Sequence, residues 1–144
     1  MANLSAAQRE LLLSDIWLSQ APVELAEALM SQGMIKTLRD GDALFLRGEP
    51  VDGLYAVLEG GLHITGVTRD GREAMLSLIE PPMWFGEIAL FDRLPRTHDA
   101  VVVGPTSLLF VPLGTLDAML DVQPLWWRHF GKLMAFKVRM AFIA

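Results

Sequence analysis

Phe85-Gly86-Glu87-Ile88-Ala89-Leu90-Phe91-Asp92-Arg93-Leu94-Pro95-Arg96-Thr97 is the stretch on which the reading of this 144-residue chain turns. Pro81-Pro82 ends the apolar run before it, and Gly86 lets the backbone approach a bound group closely. Glu87 to Phe91 suits a short helix, whose first N–H groups have no intrahelical acceptor and, with the helix dipole, favour an anion. Arg96 follows Pro95 and offers a planar fork of donors to phosphate oxygens. Its competing carboxylate partners are Asp92, Asp99 and Glu87. Glu87 itself only accepts, so it suits a hydroxyl such as a ribose 2′-OH. Phosphate donors and a ribose acceptor on one loop describe a nucleotide monophosphate.

Around this loop the pattern is one of short β-type runs between turn signals. The runs are Met34–Leu38, Ala43–Leu46, Leu54–Leu58, Leu62–Thr68, Glu73–Ile79, Ala100–Val103 and Ser107–Val111. Asp40-Gly41-Asp42, Gly48-Glu49-Pro50, Gly60-Gly61, Asp70-Gly71 and Gly104-Pro105 mark the turns. Strands at this spacing predict a mainly β fold, a jelly-roll barrel flanked by helices. Ala2 to Gln20 reads as an N-terminal helix. Pro22 to Gln32 reads as a second, with Pro22 near its first position and Gly33 as its stop. One domain spans 1–144: helices over 1–33, the β-roll over 34–112 with the loop at 85–97, and helices over 113–144.

At the C-terminal side Leu113 to Asp121 reads as a short helix, and Gln123-Pro124 opens a long one running to the end. Trp127, Phe130, Met134, Lys137 and Ala141 follow 3–4–3–4 spacing, the seam of a coiled coil. Trp126, Leu133, Met140 and Ile143 lie on a neighbouring apolar face. One face suits the barrel and the other a second subunit, which predicts a homodimer through Trp127, Phe130, Met134 and Ala141. Trp126-Trp127 reads as packing, and Met134 and Met140 as core or interface.

Composition narrows the function. The apolar share is 52% and mean hydropathy is +0.36, yet no apolar run reaches the roughly 18 residues of a membrane span. The surplus is assigned to a partner subunit. There is no cysteine, which excludes thiolate chemistry and fits a cytoplasmic protein. Net charge is −5, so nothing reads as a DNA-binding surface. His63, His98 and His129 lack metal-site spacing, and no nucleophile–base pair is evident; no metal and no enzymatic role are expected.

The order and spacing of Gly86, Glu87, Ala89, Pro95 and Arg96 resemble the phosphate-binding cassette of cyclic-nucleotide-binding domains. Over residues 20–144 the chain is similar to the sensor half of Crp/Fnr bacterial transcription regulators. Gly41-Asp42, Gly48-Glu49, Leu54-Tyr55-Ala56-Val57-Leu58-Glu59-Gly60 and Asp70-Gly71-Arg72-Glu73 add to the match. The resemblance implies a cyclic nucleotide effector, cyclic AMP favoured. Gly86, Ile88 and Ala89 would give main-chain contacts, Glu87 would bind the ribose, Arg96 the cyclic phosphate, and Thr97 would add a hydroxyl. The chain departs from the family at His98, where an imidazole crowds the pocket, points outward or tunes the ligand. It departs again at Ala141 and Phe142, which have no hydroxyl to read a base. Lys137 holds the helix position nearest the pocket. The resemblance also implies a helix-turn-helix domain on the C-terminal side, absent from these residues. The alternatives are an orphan sensor with another effector or none, and, remotely, a small jelly-roll enzyme.

Overall fold

Ser5 opens the first helix with a reciprocal pair of hydrogen bonds. Its side chain accepts from the Gln8 N–H (3.1 Å), and the Gln8 side chain accepts from the Ser5 N–H (2.9 Å). The computed structural model describes residues 3–143. Helix α1 (Ala6–Leu13) stops because Asp15 starts a new one: its carboxylate accepts from the Leu18 N–H at 2.9 Å and caps α2 (Ile16–Gln20). The single helix expected over Ala2–Gln20 is therefore two, and Ala2 lies outside the described residues. In α3 (Val23–Gln32) Pro22 is the cap rather than the first helical residue. Gly33 follows with an extended backbone. It is small because a Cβ there would lie 2.7 Å from Leu109 Cδ1.

Eight strands follow: β1 (Met34–Leu38), β2 (Ala43–Phe45), β3 (Gly53–Glu59), β4 (Leu62–Val67), β5 (Glu73–Ile79), β6 (Trp84–Phe85), then, after helix α4 (Ile88–Asp92), β7 (Asp99–Val102) and β8 (Thr106–Pro112). Strand 1 pairs with 8, 2 with 7, 3 with 6 and 4 with 5, all antiparallel. This nested pairing is a jelly roll. It makes two four-stranded sheets, ordered β1-β8-β3-β6 and β2-β7-β4-β5. Short β6, two residues long, carries no alternation and escapes a sequence reading.

In the first sheet β3 is buried on both faces, which explains why it is apolar at successive positions instead of alternating. Its inner face meets the second sheet through Tyr55, Val57, Phe85, Leu108 and Phe110 against Phe45, Leu62, Ile79 and Val102. Its outer face, with Leu54, Ala56, Trp84, Leu109 and Val111, packs under the helices. Those include α5 (Leu113–Val122) and, after a 3-10 turn at Pro124–Trp126, α6 (Trp127–Ile143). Ala144 lies outside the described residues.

Trp17 ties the helical layers together. Its ring meets Trp84 and Phe130, each at 5.6 Å between centroids, and its Nε1 donates to the His129 carbonyl at 2.6 Å. This corrects one expectation: Phe130 is 0% exposed within its own chain, and Trp127 is half-buried against Phe130 and Phe91. The buried strip of α6 runs between the two apolar rows: Phe130 of the 3–4–3–4 row and Leu133 of its neighbour both enter the core, with Trp126 and Trp127 packed against it, while Ala141 is exposed. Phe130→Ala should therefore cost about 3–5 kcal/mol in denaturant unfolding. A loss below about 1 kcal/mol, the scale of an ordinary surface change, would place Phe130 outside the core.

Candidate functional site

The loop after β6 turns sharply at Gly86, whose φ of +94° suits glycine. A Cβ there would also lie 3.0 Å from Arg96 Nη1. The loop's two ends are cross-tied, because Arg96 Nη1 donates to the Gly86 carbonyl (3.2 Å). The Arg96 backbone is held as well. Its carbonyl accepts from the Gly48 N–H and its N–H donates to the Glu49 carbonyl, both at 2.8 Å. The expected short helix forms as α4, with Glu87 at its cap. Ala89 and Leu90 bury its inner side, while Ile88 is exposed.

Arg96 points into the barrel and is 5% exposed. Its Nη2 donates to Asp52 Oδ1 (2.7 Å) and to the Gly53 carbonyl (3.0 Å), and its guanidinium carbon lies 4.3 Å from the centre of the Phe45 ring. None of the expected partners is the right one. Asp92 accepts from the Leu94 N–H, Asp99 from the Arg47 N–H, and Glu87 is engaged elsewhere. Asp52 takes the role because it sits directly before β3, under the inward-pointing guanidinium, 44 residues away in sequence. Asp52 also accepts from the Tyr55 hydroxyl. One donor of Arg96, Nε, is buried without a partner, as are Thr65 Oγ1 and Trp84 Nε1.

Glu87 is only 2% exposed, and its Oε2 accepts from Lys137 Nζ at 2.9 Å. The cassette is thus joined to α6 by a charge pair, and Phe91 adds a ring contact with Trp127 at 5.3 Å. Lys137 accordingly faces the cassette and not a partner's seam. Thr97 is exposed, and its Oγ1 lies 2.8 Å from His98 Nδ1. His98 packs over Gly66, where a Cβ would meet its ring at 3.1 Å. Two adjoining depressions, each with a cavity volume of about 250 Å3, flank Gly66. Arg47, Leu76, Thr97 and His98 line one; Arg47, Thr65 and Asp99 line the other. Glu87, Arg96 and Lys137 are in neither wall, and their charged groups are paired with protein partners. Among the described residues no group of three or more His, Asp or Glu could hold a metal ion. No helix among them is long and apolar enough to cross a membrane.

Comparison with known proteins agrees with this construction. The chain belongs to the cyclic nucleotide-binding domain family, whose model matches residues 35–123. The CRP-like cAMP-activated global transcriptional regulator of Mycobacterium tuberculosis is 40% identical over 99 residues, 69% of this chain and 44% of the relative. The cyclic AMP receptor protein of Thermus thermophilus is 31% identical over 121 residues, 84% of this chain and 56% of its own. The solved N-terminal domain of a transcriptional regulator from Streptomyces coelicolor A3(2) is 31% identical, covers 91% of both chains and superposes with a TM-score of 0.73. The chain spans about half the length of the curated relatives it matches.

Tyr55 offers a test of the buried cluster. Burial, and then the bond to Asp52, push its phenol well above the ordinary value of 10.0. A group whose folded value is raised contributes stability that is complete below the unfolded value and is lost as pH rises toward the folded one. Tyr55→Phe should cost about 1 kcal/mol at neutral pH. Above about pH 10 the stability of the unmutated chain should fall more steeply than the variant's. Parallel stability–pH curves for the two would rule out a buried neutral phenol.

Proposed function

We propose that this chain is the ligand-sensing, dimerising regulatory domain of a transcription regulator, and that its effector is a cyclic nucleotide, cyclic AMP favoured. The observation that carries the reading is the assembly of Gly86, Glu87 and Arg96 on one loop that Lys137 of α6 reaches. The match to the cyclic nucleotide-binding family and the cAMP-activated relative support it. Arg96, with a buried Nε lacking a partner, takes the phosphate; Glu87 takes the ribose 2′-OH; the backbone of Gly86, Ile88 and Ala89 and the Thr97 hydroxyl complete the cradle. His98 packs beside it. The role is regulatory rather than enzymatic, as the regulators among its relatives suggest. DNA contact falls to a part of such a regulator outside these residues. One observation favours the orphan-sensor reading: Arg96 and Glu87 are already paired, with Asp52 and Lys137.

Calorimetry with cyclic AMP and cyclic GMP separates the two. Binding should be measurable, and Arg96→Ala should weaken it about 10- to 100-fold, through loss of roughly 1.5–3 kcal/mol of charge-assisted contact. Glu87→Gln should hurt the ribose nucleotide more than its 2′-deoxy analogue. A chain that binds neither nucleotide is an orphan sensor, and equal losses for both sugars remove Glu87 from the ribose role.

The dimer runs through α6, on residues other than those first assigned. Trp127 and Phe130 belong to the chain's own core, and Met134 and Ala141 lie on their flank of the helix, so the face left for a partner is the stripe Phe136, Met140 and Ile143 on the other side. That stripe follows i, i+4, i+7 spacing and is 39%, 48% and 78% exposed. A two-fold mate covers it at modest cost. Met140→Glu should yield monomers that keep the fold. Light scattering that finds the unmutated chain monomeric at tens of micromolar, roughly where a standard-size interface holds, sinks the assembly.

A further inference from the structure

Among the described residues Arg93 alone, apart from glycines, has a positive φ, +58°. It closes α4 as its left-handed cap, with its N–H donating to the Ala89 carbonyl at 3.0 Å. Glycine does this without strain, and a residue with a side chain does it at a cost. Capping therefore does not explain an arginine here. What arginine adds is a guanidinium with three uses. Nε donates to the Leu90 carbonyl at 3.1 Å, which closes the last turn of α4. Nη1 and Nη2 fork onto the two carboxylate oxygens of Asp117, the first at 3.2 Å. The guanidinium in turn holds the Asp117 carboxyl below its ordinary range.

Asp117 lies on α5, and that helix is already linked to a second point of the cassette. Its first residue, Leu113, donates from its N–H to the carbonyl of Asp52 at 2.9 Å, and the Asp52 carboxylate holds Arg96. One short helix thus holds the C-terminal part of the cassette at two points, Arg93 directly and Arg96 through Asp52. The pair is half in water, with side chains 40% and 43% exposed. Pairs of that exposure add little to global stability. What this one adds is local: it joins the cap of α4 to α5.

We propose that Arg93 and Asp117 form a clamp that orients the cassette helix for its ligand, with Asp117 as a positioning residue that does not touch the ligand. The proposal rests on the cyclic-nucleotide reading of the site and deepens it.

The test uses three variants and two readouts on the whole chain. D117N keeps the shape and removes the charge, D117E keeps the charge, and R93G relaxes the backbone while removing the fork. In the ligand-free chain, amide exchange over residues 88–93 should rise about fivefold in D117N, with β3 and α6 unchanged. In calorimetry with cyclic AMP, D117N and R93G should each weaken binding about three- to fivefold, while D117E stays near the unmutated chain. R93G should melt no lower than the unmutated chain, so its lost affinity would not follow from lost stability. Unchanged exchange in D117N overturns the clamp. So does raised exchange with undiminished affinity, or an R93G loss that merely tracks melting. A chain that binds no cyclic nucleotide sinks the reading of the ligand instead, and the ligand-free exchange then decides the clamp by itself.

Discussion

The buried guanidinium of Arg96 is the constraint to which the rest of the site answers. A cation inside a barrel is costly unless charge and hydrogen bonds replace its water. The chain supplies the Asp52 carboxylate, the carbonyls of Gly53 and Gly86, and the face of Phe45. Each demands something of the backbone. Gly86 must come close enough for its carbonyl to reach Nη1, which leaves no room for a side chain. Gly53 must lie so near β8 that a Cβ would sit 2.2 Å from the Val111 carbonyl oxygen. The start of β3, the turn after β6 and the turn at Gly48-Glu49 therefore converge on one residue, the first two on its side chain and the third on its backbone.

Glu87 repeats the logic with the opposite sign. A carboxylate this buried needs a cation, and Lys137 reaches it from α6. The cassette's two buried charges are thus balanced by groups from two different elements, the approach to β3 and the long helix. A ligand entering such a site exchanges partners for these charges and does not meet them bare. Its affinity is a difference between two sets of paired charges, and any rearrangement of the pairs is felt where the partners are anchored. On the proposed reading of the site, that would couple the ligand to α6 without a long pathway, since Lys137 contacts Glu87 directly.

How much of this was legible in the sequence depends on whether the determining contact was local. Turn glycines, strand lengths and the cassette spacing are short-range signals, and β1 and β5 begin and end where the pattern put them. The break at Ser14-Asp15 was also local. It was missed because the apolar residues on both sides keep a helical rhythm that hides the capping carboxylate. Asp52 could not be found that way. Nothing in its spacing ties it to Arg96, and acids nearer in sequence looked equally able. Arg93 escapes a sequence reading because a positive φ at a residue other than glycine leaves no trace in composition.

The long helix shows the limit most clearly. Its rows of apolar side chains were visible, but periodicity cannot say which row faces inward when both are apolar. The choice is made by the barrel. Trp17 packs edge-on against Trp84 of the first sheet's outer face, and a large ring at position 130 packs on Trp17 in turn. Once Phe130 is placed there, the helix's rotation is fixed. Lys137, two turns further on, is carried round to Glu87, and Phe136, Met140 and Ile143 are turned outward. Core packing at one end of the helix thus decides which residue completes the charged site and which remain for a neighbour.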